Sequence, residues 1–162
     1  MPEVLFAPWR YEYLVSEKSG LCIFCAAATA GEEGSLVVHR GDRVFVLLNR
    51  YPYTNGHLMV APYRHEAWLS DSEEETLREL IETVARAERI LVETFRTDGL
   101  NVGINFGSAA GAGVADHYHV HVVPRWSGDT NFMTVAGDVR VVPEDLSETQ
   151  RRLAPLFRTA AR

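Results

Sequence analysis

Cysteine is nearly missing from this 162-residue chain: Cys22 and Cys25 are the only two. A scaffold held by several disulfides is therefore excluded. There is also no uninterrupted apolar run long enough to span a bilayer. The N-terminal MPEVLFAPWRYEYLV lacks the basic start and apolar stretch of an export signal. These absences set the expected location as cytoplasmic, where a structural disulfide is not expected. Positive charge is in deficit, with 16 Lys and Arg against 22 Asp and Glu for a net charge of −6. That balance disfavours nucleic acid and anionic membranes as partners, because both are bound by a basic face. A small phosphorylated ligand stays compatible, since a few local donors can hold it. With no repeat, low-complexity tract or long linker, the length fits a single domain over residues 1–162. Its expected parts are an irregular segment 1–35, a core 36–126 and a C-terminal extension 127–162.

Leu36–Arg40 and Val44–Asn49 are apolar and β-branched and flank Gly41-Asp42, which reads as a hairpin. A third strand is expected over His57–Pro62 after the turn Tyr53-Thr54-Asn55-Gly56. A long helix follows, with Ser70, Asp71 or Ser72 as its cap. Leu77, Leu80, Ile81, Val84, Ala87, Leu91 and Phe95 carry its helical spacing, and Asp98-Gly99 ends it. Leu100–Phe106 and Tyr118–Pro124 are the remaining strands, separated by the small-residue loop Gly107–Asp116. Pro143–Phe157 is expected to be a C-terminal helix. Hairpin-connected strands with one inserted helix point to an α+β fold with an antiparallel sheet.

Three of the six histidines fall at His117, His119 and His121. In a strand these positions share a face, roughly 7 Å apart. Tyr118, Val120 and Val122 then point into a core. Imidazole, with a free pKa of about 6.5, stays largely neutral and nucleophilic near pH 7. A central His between two others can attack phosphorus while its neighbours supply protons. A His-rich edge or a metal site are the alternatives. The preceding loop adds Asn105, Gly107, Ser108, Gly111, Ala112 and Gly113, whose small side chains let backbone N–H groups approach an anion. Such donors suit the equatorial oxygens in phosphoryl transfer.

Cys22-Ile23-Phe24-Cys25 has the gap that lets two thiolates reach one ion. Buried thiols and a redox pair remain open, although a thioredoxin-like pair would sit at a helix N-terminus, which is not expected here. Phe6, Trp9, Tyr11 and Trp126 could stack on a base or simply pack. Arg125 could meet a distal phosphate, and His39 matches no motif.

His117-Tyr118-His119-Val120-His121-Val122-Val123 resembles the histidine-triad signature, and Gly56-His57-Leu58-Met59-Val60-Ala61-Pro62 resembles the family's second signature. The likeness runs from about Cys22 to Trp126. Ala7-Pro8-Trp9-Arg10, Asn49–Tyr53 and Pro124–Phe132 are similar to the bacterial branch containing diadenosine tetraphosphate phosphorylases. The resemblance implies a five-stranded antiparallel sheet with a long and a C-terminal helix, paired into a homodimer. It implies that His119 attacks the α-phosphate of an adenosine nucleotide or dinucleoside polyphosphate, giving a nucleotidyl-histidine that water or phosphate resolves. His57 and His121 would support the reacting phosphate. Asn49 would contact the ribose, and Asn105 with the backbone of Gly111, Ala112, Gly113 and Val114 would hold phosphate. A structural zinc on Cys22, Cys25, His65 and His117 is implied, with no catalytic metal. Phosphoramidase activity and nucleotide binding with little catalysis are the alternative functions. Many relatives carry Gln where this chain has Gly113, four residues before His117. The third His is retained where hexose-1-phosphate uridylyltransferases have Gln, which disfavours transfer to a hexose phosphate.

Overall fold

The computed structural model describes residues 22–31, 35–130 and 144–159. Phe6, Trp9, Tyr11 and Tyr13, the Ala7–Arg10 motif, Asn131-Phe132 and Pro143 lie outside them. Five short apolar runs form strands: β1 (Val37–Arg40), β2 (Val44–Leu48), β3 (Leu58–Pro62), β4 (Gly99–Ile104) and β5 (Val120–Arg125). They pair antiparallel into one sheet in the order β1-β2-β3-β5-β4. The expected α+β architecture is present. β1 and β2 make the hairpin at Gly41-Asp42, with an irregularity between Val37 and His39.

Period-2 alternation divides the sheet between two apolar clusters. Val44, Val46, Leu48, Leu58, Val60, Val120 and Val122 face one side, together with Tyr118. The helix α2 (Glu74–Phe95) covers this side with Leu80, Val84, Ala87, Ile90 and Leu91. A further helix, α3 (Leu146–Thr159), adds Leu153 and Phe157. Full burial of each such side chain contributes about 1.5–3 kcal/mol. Phe45, Leu47, Met59 and Ala61 face the other side, where Phe24 of the short helix α1 (Ile23–Thr29) covers them.

Several element boundaries differ from the sequence expectation. Ser70 and Asp71 belong to a 3-10 turn, Leu69–Asp71, ahead of α2. The Ser72 hydroxyl is spent on Glu66 and Tyr118, so none of the three expected residues caps the helix. Glu73 holds the N-cap position, and its carboxylate pairs with Arg43 and Arg64. The helix stops at Phe95 because Arg96 turns left-handed with φ 50°, and Gly99 already begins β4. Ile81 is 65% exposed, whereas Thr83 and Ile90 are buried. β4 ends at Ile104, short of Phe106, and α3 starts at Leu146 behind Glu144-Asp145. β5 begins at Val120, so His117 and His119 precede its regular pairing while keeping the alternation. No helix among the described residues is long and apolar enough to cross a membrane.

Candidate active site and metal-binding cluster

The alternation from His117 into β5 sends Tyr118, Val120 and Val122 into the large core, leaving His119 and His121 on the opposite face. His121 pairs across the sheet with Met59 of β3 and Gly103 of β4. His57, directly before β3, brings its Nε2 to 2.9 Å from Nδ1 of His121. The ring centroids of His119 and His121 lie 4.8 Å apart, edge to face. The three histidines expected to do chemistry are therefore one contiguous group.

Their hydrogen bonds assign the protons. A carbonyl oxygen can only accept. His119 Nδ1 must donate to the main-chain oxygen of His117 at 3.1 Å. Its Nε2 then carries a lone pair, with no hydrogen-bond partner among the described residues. His57 Nδ1 accepts the backbone N–H of Tyr53 at 3.1 Å. Its proton must sit on Nε2 and be donated to His121 Nδ1, so His121 in turn keeps an N–H at Nε2. The group thus offers one lone pair on His119 and one donor on His121. Burial pushes His119 below the usual imidazole range, opposed by its bond to the His117 carbonyl. Burial, and next the neighbouring His119, lower His121 to about 4. Both shifts favour neutral rings at His119 and His121 near pH 7.

Asn49 sits at the end of β2 beside this group. Its Nδ2 is 3.4 Å from His57 Nδ1, and its Oδ1 accepts the Tyr51 N–H at 2.9 Å. Asn105 follows β4 and is half-buried. The loop after it turns through Gly107 (φ 72°) and Gly111 (φ 86°), positions where glycine avoids a Cβ penalty. Within that turn Gly111 donates to Ser108 and Ala112 to Gly107. The N–H groups of Gly113 and Val114 have no partner among the described residues. Val114 packs into the same cluster as Phe24, whose ring lies 4.5 Å from that of His119. The loop is tied to the histidine face through that contact.

Cys22, Cys25, His65 and His117 converge, with one ligand atom from each lying within 4.8 Å of the others. The Cys22 Sγ–His117 Nδ1, Cys25 Sγ–His65 Nδ1 and Cys25 Sγ–His117 Nδ1 distances are 3.4, 3.3 and 3.7 Å. His117 Nε2 donates to the Pro62 carbonyl at 2.9 Å, which leaves Nδ1 as the free lone pair facing the thiols. The four could hold one metal ion. One expectation is corrected here: Cys22 is the N-cap of α1 and Cys25 lies in its first turn, so the pair does sit at a helix N-terminus. The Ala-rich sequence after the cysteines folds there because Arg40 binds the carbonyls of Ala27, Ala28 and Ala30.

Two contributors went unnoticed at the sequence level. Phe24 had a signal in its position between the cysteines. Tyr53, whose ring lies 4.6 Å from that of His57, had its place in the turn and in the Asn49–Tyr53 segment of the resemblance. Arg125 forks onto Asp129 and donates to Asn101, and the Trp126 indole donates to the Phe95 carbonyl, so both have structural partners. His39 stacks on Phe157.

Comparison with known proteins agrees with this geometry. The HIT domain family matches residues 30–128. A Mycobacterium tuberculosis protein named AP-4-A phosphorylase is 42% identical over 159 residues, covering 93% of this chain and 82% of its own. Protein hit of Bacillus subtilis is 31% identical over 137 residues, covering 82% and 92%. The solved structure of a Zn-bound histidine triad family protein from Mycobacterium smegmatis superposes with a TM-score of 0.69 at 32% identity, covering 85% of this chain and 93% of that one. The alternating histidines, the sheet that displays them and these matches lead to one assignment: the chain belongs to the HIT family.

Proposed function

We propose that this protein cleaves dinucleoside polyphosphates of the diadenosine tetraphosphate type at the α-phosphate, with phosphate as the preferred acceptor. His119 Nε2 forms a bond to phosphorus, and the bond from phosphorus to the bridging oxygen breaks. The leaving nucleotide departs with that electron pair. Phosphate then attacks the nucleotidyl-His119 and releases ADP, while the imidazole recovers its lone pair. Water in place of phosphate would release AMP. His121 Nε2–H donates to a phosphate oxygen as negative charge builds, and His57 holds His121 in the donating tautomer. The amides of Gly113 and Val114, which have no partner among the described residues, supply further donors to the phosphate with Asn105. Asn49 serves the ribose.

The observation that carries this reading is the lone pair on His119 Nε2, left by the bond from Nδ1 to the His117 carbonyl. The phosphorylase preference draws on the relative named AP-4-A phosphorylase. The test is incubation with diadenosine tetraphosphate, with and without phosphate. ADP plus ATP formed only when phosphate is present supports phosphorolysis, and AMP plus ATP in its absence supports hydrolysis. An intact-mass gain of one adenylyl group (AMP less water), located at residue 119, supports the covalent intermediate. Tight AMP binding without turnover of any dinucleotide or phosphoramidate would overturn the enzyme reading.

The metal cluster fits zinc. Tetrahedral coordination with Zn–S of about 2.3 Å and Zn–N of about 2.0 Å needs ligand separations of roughly 3.3–3.8 Å. The three sulfur–nitrogen distances already fall there, at 3.4, 3.3 and 3.7 Å. When bound, zinc would supply a crosslink between α1, the segment after β3 and the start of the histidine strand. With all four positions filled by protein, it leaves no open site for substrate. Homodimer formation belongs to the same reading; Ile81 and Val92 on α2 and Val102 on β4 are exposed apolar side chains.

A further inference from the structure

Beyond the residues that touch phosphate, we propose that Phe24 is a positioning residue for the His119 imidazole, and that the Cys22–Cys25–His65–His117 cluster anchors it there. This rests on the reading of His119 as the nucleophile.

The argument starts with α1. Seven residues are too few for a helix to persist without tertiary support, and no side chain caps its N-terminus. Arg40 holds its C-terminal carbonyls, and its N-terminal turn carries Cys22 and Cys25 into the metal cluster. Between those two anchored cysteines stands Phe24, with no exposed surface. Its ring lies 4.5 Å from His119 at an interplanar angle of 35°, and 5.2 Å from His117 at 46°. His121 meets His119 edge-on at 4.8 Å.

The His119 ring is thus restrained by Phe24, by His121 and by one hydrogen bond from Nδ1. A half-turn about its last side-chain torsion would replace Nδ1 with a carbon and break the bond to His117. It would also move Nε2 away from the position it now occupies. One neutral hydrogen bond is a weak restraint on that flip, and imidazole torsions of this kind are soft. A half-turn returns the ring to its own plane, so the His117 carbonyl chooses between the two flips, while Phe24 confines the plane in which Nδ1 can reach that carbonyl. His117 reinforces the arrangement from the other side: its ring belongs to the metal cluster while its main-chain oxygen receives the His119 proton. Anchor, wall and acceptor therefore form one packed unit.

Phe24→Ala and Phe24→Leu, purified with the same metal content as the unaltered protein, test this. Long-range 1H–15N spectra at neutral pH report the His119 tautomer, and steady-state kinetics with diadenosine tetraphosphate report kcat and KM. In Phe24→Ala, the Nδ1–H signature of His119 should give way to a mixture. Its kcat should fall about 30-fold, in line with the cost of misplacing a reacting group, while KM stays within about threefold. Phe24→Leu, which keeps bulk but not the flat ring, should fall between that variant and the unaltered protein, with kcat about fivefold below the latter and a minor second tautomer beside the Nδ1–H signature. An unchanged signature with kcat within about twofold in Phe24→Ala overturns the proposal. If that variant does not fold, the same pair of results in Phe24→Leu overturns it, and a partial loss of both supports it. The spectrum needs no substrate, so it tests Phe24 even if the dinucleotide fails to react. Adduct trapping tests the reaction whatever Phe24 does.

Discussion

The Nδ1–H of His119 points at the main-chain oxygen of His117, 3.1 Å away, so His117 serves two sites with two different groups. Its imidazole Nδ1 faces Cys22 and Cys25, and its carbonyl selects the tautomer of the proposed nucleophile.

Replacing the nucleophile is the most direct consequence to examine. His119→Asn removes the Nε2 lone pair with a modest change in volume. The expected fall in kcat/KM on diadenosine tetraphosphate is roughly 10³-fold or more, because a covalent step has no substitute in the remaining group. Initial rates and intact mass should lose the turnover and the adduct together. Full activity in this variant would falsify the covalent scheme.

The metal cluster predicts a stability effect separable from chemistry. The protein should carry about one zinc per chain, and Cys22→Ala should lose most of it. Metal binding that accompanies folding adds to folding free energy. A lower Tm, by about 5–10 °C for a domain of this size, is expected from losing a few kcal/mol. Elemental analysis and a thermal melt check both numbers. Equal stability in a metal-free protein would remove the anchor.

His121 sets a pH dependence. Its folded pKa is lowered to about 4 by burial and by His119, against about 6.5 unfolded. Between those values the unfolded chain binds the extra proton, so stability rises with pH in that window. The contribution is complete above about pH 6.5 and is lost as pH falls toward 4. In His121→Gln, denaturant midpoints measured from pH 7 to 4.5 should fall less steeply than in the unaltered protein. Parallel slopes would show that the ring is not held neutral by its surroundings.

Gly56 precedes His57 and adopts φ 76°, and a Cβ there would lie 2.9 Å from Cε2 of Phe95 and 3.3 Å from Cδ2 of Leu91. Gly56→Ala should cost about 2 kcal/mol through backbone strain and this overlap with the end of α2. Urea unfolding gives the value directly. Activity should fall too, since the displaced segment carries His57.

Local patterns carried much of the fold. The alternation from His117 to Val122 was enough to place Tyr118, Val120 and Val122 in a core and the imidazoles on the other face, because side-chain direction in an extended chain depends only on parity. The β1–β2 hairpin and the heart of α2 followed from short-range turn chemistry and periodicity in the same way. The ends of α2 did not. Ser72 looked like a cap, but Glu66 and Tyr118 claim its hydroxyl, and Tyr118 is 46 residues away along the chain. The extent of α1 was less legible too, since seven residues hold their shape only through Arg40, Phe24 and the cysteine cluster.

The sequence by itself determined which chemistry was present: imidazoles in strict alternation, two thiols a turn apart, and a loop of small residues before them. Only the tertiary structure decided which nitrogen of each ring bears the proton. It set His57 against His121 across 64 residues and Cys22 against His117 across 95, groupings that the resemblance implied but no local pattern in the chain carries. It also spent the Gly111 and Ala112 amides inside a turn while leaving those of Gly113 and Val114 without a partner among the described residues. The physical reason is that periodicity and turn preference are properties of neighbours in the chain. A tautomer is chosen by whichever acceptor or donor the folded backbone brings within hydrogen-bonding distance.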